Sequence, residues 1–164
     1  MSLAKECNIM TDIELQKDIV AELKTLLTSK GIMMPLGDTF AGLKVYPQDM
    51  PLKQDEDDEQ QRNYIVVMIG EEESDGEEWD VEIHFSIGIE DRDADCSGNR
   101  NILYLMNEIY MHFTKTGIIG RHCKMEKKAY KTLNLEAAFP YFEGDLITHW
   151  KLPLPEEEGL EDLI

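Results

Sequence analysis

The chain has 164 residues, 42% of them hydrophobic, and sets 16 Lys and Arg against 34 Asp and Glu. That length fits one domain, large enough to bury on the order of 70% of its unfolded surface without disulfide or metal staples. The net charge of −18 excludes a broad electrostatic footprint on nucleic acid, which needs a basic face, and opposes docking on anionic membranes.

Residues 12–30 predict an amphipathic helix, because Leu15, Ile19, Leu23, Leu26 and Leu27 recur at three- and four-residue spacing. Thr11 and Glu14 fit a capping box, and Gly31 fits the C-terminal stop. Leu43 to Tyr46 reads as a short strand, which Pro47 confines to a sheet edge or a strand end. The polar residues 53–62 read as an exposed acidic loop. Residues 64–69 form a continuous apolar run of strand length, expected to be buried on both faces. The acidic stretch Glu71 to Glu78, with Asp75-Gly76 near its middle, predicts a hairpin turn.

The clearest strand follows. Trp79, Val81, Ile83, Phe85, Ile87 and Ile89 alternate with polar residues, which places all six on one face of a strand about 35 Å long. Residues 91–98 read as a loop. A second helix is expected over 99–115, with Ile102, Leu103, Leu105, Met106, Ile109, Tyr110 and Phe113 on a broad apolar face, Ser97 or Asn99 as N-cap and Gly117 as stop. Residues 122–135 read as one strand in which Lys127 and Lys131 share parity with Met125, Ala129 and Leu133, as in an edge strand guarded by lysines. In the last strand Leu146, Thr148, Trp150 and Leu152 alternate with Ile147, His149 and Lys151 before Pro153. This order predicts an α+β fold: an antiparallel or mixed sheet of about four to five strands with two main helices packed on one face. Residues 1–155 are expected to form one domain, and 156–164 an acidic tail.

The acidity is confined to a few segments. The net negative charge falls in residues 53–80, in 90–95 and in the tail, and the rest of the chain is neutral. Within that neutral remainder one segment is basic: Arg121, Lys124, Lys127, Lys128 and Lys131. Cys7, Cys96 and Cys123 form no cluster, which predicts free thiols in a reducing compartment. No apolar run approaches the ~18 residues of a membrane span. Lys5, Glu6 and Asn8 interrupt any signal-peptide core. The expected location is the cytoplasm.

Candidate chemistry is sparse. Asp91, Asp93 and Asp95 have the alternate spacing of a calcium loop, but Cys96 stands where that loop needs Gly and Ile102 where it needs a bidentate Glu. The same acids suit a solvated loop at a helix N-terminus. None of His84, His112, His122 and His149 belongs to a metal or catalytic array, and no GxSxG, P-loop or GxGxxG occurs. No catalytic residue, metal or cofactor is expected. The aromatics of AFPYFEGDLITHWKL, Tyr141 and Phe142 among them, fit either a turn packed on the core or an interaction surface.

The stretch SIGIEDRDAD running into the helix NRNILYLMNEIYMHF, and the closing PYFEGDLITHWKLP, resemble tail-assembly proteins of prophages and long-tailed bacteriophages, the tail terminator or minor tail protein group. The resemblance spans roughly residues 11–154. It implies an α+β fold and a non-enzymatic structural protein. It also implies a homo-oligomeric ring, a hexamer in the family, that caps the tail tube and joins it to the head connector. The partners would then be tail-tube and head-connector proteins, and the location the host cytoplasm during assembly and afterwards the virion. The acidic segments 53–62 and 71–80 and the tail have no counterpart in the family pattern, so terminator and other neck proteins both stay open. In a ring each subunit offers two different patches, and the lysines of 121–131 would meet an acidic loop of the neighbour. Acids facing a channel would repel phosphate and let DNA pass. The alternative is an acidic inhibitor or immunity protein docking on a basic toxin or nuclease, with steered association.

Overall fold

A computed structural model describes residues 11–29, 43–50, 63–92, 98–117, 123–137 and 139–154. In chain order these form α1 (Asp12–Ser29), β1 (Lys44–Pro47), β2 (Tyr64–Ser74), β3 (Glu78–Glu90), α2 (Gly98–Thr116), β4 (Lys124–Met125), β5 (Tyr130–Leu133) and β6 (Tyr141–Pro153). The strands make one sheet in the order β1-β2-β3-β6-β4, with β5 also paired to β6. β1 runs parallel to β2 and every other pair is antiparallel, so the sheet is mixed and the fold is α+β.

The registers explain the core. Val45, Ile65, Ile87 and Gly144 stand in one row across four strands, and Val67, Phe85 and Leu146 in the next but one. Period two puts these rows on the same face. Leu15, Ile19, Leu23, Leu26 and Leu27 of α1 and Ile102, Leu105, Met106, Ile109 and Phe113 of α2 join them in one buried cluster. Both helices therefore cover one face. At Gly144 the close approach of α2 requires glycine, since a Cβ there would stand 2.7 Å from the Met106 side chain and 2.9 Å from Ile102. Phe113 stacks on Phe85 at 5.9 Å and meets Trp150 edge-on at 5.6 Å, geometries that favour aromatic pairs. Trp150 Nε1 donates to Thr148 Oγ1 (3.0 Å), which donates to the Ile83 carbonyl (2.9 Å), so the Trp150 and Thr148 donors are both partnered.

The local signals act as expected at several ends. Glu14 N donates to Thr11 Oγ1 (3.2 Å) at the start of α1. Gly117 takes φ +59° at the end of α2 and donates its N–H to the Phe113 carbonyl. Asn99 lies inside α2 rather than capping it, and Ser97 and Gly31 fall outside the described residues.

Three expectations change. The apolar run of β2 is fully buried only over Ile65 to Val67. The acids Glu71 to Glu73 belong to β2, not to a turn, and the turn is confined to Asp75–Glu77, with Gly76 at φ +92°. There Asp75 Oδ1 accepts the N–H groups of Glu77 and Glu78, both at 2.8 Å, which hold its carboxyl below the usual range. Residues 122–135 make two short strands instead of one. Five chain steps from Met125 to Tyr130 cover only three on β6, from Trp150 to Ile147, so the edge strand carries an excursion between β4 and β5. The segments 53–62, 93–97 and 156–164 lie outside the described residues.

Candidate interaction surface

The face of the sheet opposite the helices carries Tyr64, Val66, Met68 and Ile147 beside its polar residues, and its charges divide by position. β2 holds a bulge: Ile69 stands opposite Ile83, but Glu72 stands opposite Val81. An extra residue reverses the facing of everything beyond it. Glu72 is thereby turned to the helix side, where it meets Asp12 at the start of α1. Its carboxyl is pushed up to about 7 by desolvation first, and then by the hydrogen-bonded Asp12 carboxyl. Glu73 is turned to the open side, opposite Asp80. The Glu82 and His84 side chains lie over Gly70 at the bulge, since a Cβ there would come within 2.8 Å of Glu82 Oε1. Around this outer part of β2, with residues from both sides of the strand, lies an acidic groove of about 480 Å³ lined by Glu71, Glu72, Glu73, Asp80, Glu82 and His149.

Partners inside this end of the sheet neutralise only part of it. His149 Nδ1 lies 3.1 Å from Asp80 Oδ1, and Lys151 Nζ lies 3.6 Å from Asp80 Oδ2 and 3.7 Å from Glu126 Oε1. Desolvation opposes the charge on Lys151, but Asp80, Glu126 and Glu78 together raise its pKa. His84 bonds Glu82. Glu71 and Glu73 are exposed and form no ion pair with another described residue.

The lysines occupy the opposite border. Lys124 sits in β4, exposed, opposite Lys151. Lys127 and Lys128 project from the excursion between β4 and β5, both exposed. Glu126 N donates to the His149 carbonyl (2.8 Å), and the Tyr110 hydroxyl of α2 donates to the Lys127 carbonyl (2.5 Å), so the excursion is tied to β6 and to the helix. Lys131 in β5 bonds Asn107 of α2, on the helix side. Arg121 lies outside the described residues.

The remaining predicted residues separate. Asp91 Oδ2 accepts from Asn101 Nδ2 (2.8 Å), and Asp91 N donates to the Pro140 carbonyl (2.8 Å), so this acid ties the end of β3 to α2 and to the start of β6. Asp93 and Asp95 lie outside the described residues. Tyr141 is half-exposed at the start of β6. Phe142 belongs to the core rather than to a surface: it is 7% exposed, and its ring packs so closely over Gly98 that a Cβ there would stand 2.1 Å away. Among the described residues no group of three His, Cys, Asp or Glu could hold a metal ion, and no helix is long and apolar enough to cross a membrane. Cys123 is buried, and desolvation followed by Asp18 pushes its thiol up to about 12.

The alternation puts Asp80, Glu82 and His84 on the polar parity of β3 and His149 on that of β6, and the pairing of the two strands brings them to one face. Nothing in the sequence marked the bulge at Gly70–Glu71, which brings Glu73 to that face. No protein-family model matches the chain, and no curated protein matches it.

Proposed function

We propose that this chain is a non-enzymatic assembly protein that associates with copies of itself into a ring, as the resemblance to phage tail terminators implies. In that role the ring caps a tail tube and joins it to the head connector. One observation carries the reading: a single sheet has exposed acids on the outer part of β2 and exposed lysines along β4 and β5 at its other border. Two different, complementary patches on one subunit are what a head-to-tail contact needs, and such contacts close into rings when the rotation fits. The test is negative-stain imaging of the purified chain, with and without polymerised tail tubes. Closed rings, and rings seated on tube ends, are expected. A field without rings, and tubes left bare, would overturn the reading.

A second reading has its own support. Five acids gather in one groove rather than scattering over separate loops, which suits an inhibitor or immunity protein that docks on a basic toxin or nuclease. Acids focused in a concave site raise the on-rate for a cationic partner. A stable monomer that captures a basic nuclease in a salt-dependent way would favour it.

A further inference from the structure

We propose that the outer edge of β2 beyond its bulge is the seat for the β4–β5 edge of a second copy, so that neighbouring sheets join edge to edge. The inference rests on the self-association reading and names its contact.

The first support is a strand edge that has no partner strand among the described residues. β1 accompanies β2 only from Tyr64 to Val67 and ends at Pro47. Past that point the Gln48 side chain acts as a short substitute strand: its Oε1 accepts from Ile69 N (2.9 Å) and its Nε2 donates to the Ile69 carbonyl (3.2 Å). Among the described residues no strand runs beside Gly70 to Ser74 on that side. Such an edge is a template for a strand from another chain. At the other border, β4 and β5 pair with β6 alone among the described residues.

Charge decides which edge meets which. Glu71 and Glu73 flank the first edge, while Lys124, Lys127 and Lys128 line the second, and none of the five forms an ion pair with another described residue. Like charges directly opposite each other destabilise paired strands, and opposite charges stabilise them. Each edge therefore rejects its own kind and accepts the other. The contact joins two different surfaces, so it propagates from copy to copy.

The experiment is a charge swap on the full chain, read by sedimentation velocity at low salt. One variant carries Glu71→Lys and Glu73→Lys, another Lys127→Glu and Lys128→Glu, and a third all four changes. Circular dichroism confirms folding, and the corresponding Gln substitutions serve if a reversal unfolds the chain. Each paired variant alone is expected to associate at least about tenfold more weakly than wild type. Their equimolar mixture and the fourfold variant are expected to recover assembly. Wild type and both paired variants assembling equally would overturn this contact while leaving self-association standing. So would paired variants that dissociate and are not rescued by mixing. A wild-type chain that stays monomeric at every concentration would overturn both the contact and the reading beneath it.

Discussion

The Tyr110 hydroxyl donates a 2.5 Å hydrogen bond to the backbone carbonyl of Lys127. A helix residue thus fixes the excursion that holds Lys127 and Lys128 outward. Tyr110→Phe keeps the ring and removes the donor, so the chain should lose about 0.5–1.5 kcal/mol of stability. Amide exchange should rise at residues 126–129 and remain unchanged in β3. Protection equal to wild type in that segment would show that the bond does not hold it.

Much of the fold was readable because its signals are local and repetitive. The leucine spacing of α1, the alternation of β3 and the alternation of β6 each specify an element and the face it buries. The two irregular edges were not readable for a physical reason. A bulge at Gly70–Glu71 adds one residue to a pairing, and the excursion at Glu126–Ala129 is defined only by its register against β6. Neither changes composition. Phe142 shows a related limit: its neighbours Phe139 and Tyr141 are exposed while it packs on Gly98, a contact between distant parts of the chain. The lysine border was visible as a cluster, whereas the acidic groove depends on strands β2, β3 and β6 coming together.

The core chain Trp150–Thr148–Ile83 makes a separate prediction. Thr148→Val leaves the buried Trp150 N–H without an acceptor and should cost about 1–3 kcal/mol in a urea unfolding measurement. Adding Trp150→Phe removes the orphaned donor, so this second change should cost less in the Thr148→Val background than in wild type. Strict additivity of the two losses would contradict the proposed pairing.

Gln16 and Gln48 couple α1 to β1 and β2. The buried Gln16 amide donates to Gln48 Oε1 (2.8 Å) and to the Val67 carbonyl (2.7 Å). Gln16→Ala and Gln48→Ala should each destabilise the chain by about 1–3 kcal/mol, and a double-mutant cycle should return a coupling of about 0.5 kcal/mol or more. Zero coupling would mean the two amides act independently.

Glu72 predicts a pH dependence. Its folded-state pKa of about 7 lies above the ordinary value of 4.5 because of desolvation, followed by the Asp12 carboxyl. Protonated Glu72 therefore favours the fold. Its contribution is fully present below about 4.5 and is lost as pH rises through about 7. Glu72→Gln removes the titration, so the variant's stability relative to wild type should increase steadily across that window and level off above it. Parallel stability curves from about pH 4 to about pH 8 would contradict the shift.

The central claim is that the acidic and lysine-bearing edges drive self-association. Its most direct test is the mass of the purified wild-type chain by multi-angle light scattering, over a range of concentrations at low and high salt. A defined oligomer is expected, several times the 18.9 kDa of one chain, whose mass falls towards that value as salt screens the contact. A mass of 18.9 kDa under every condition would contradict it.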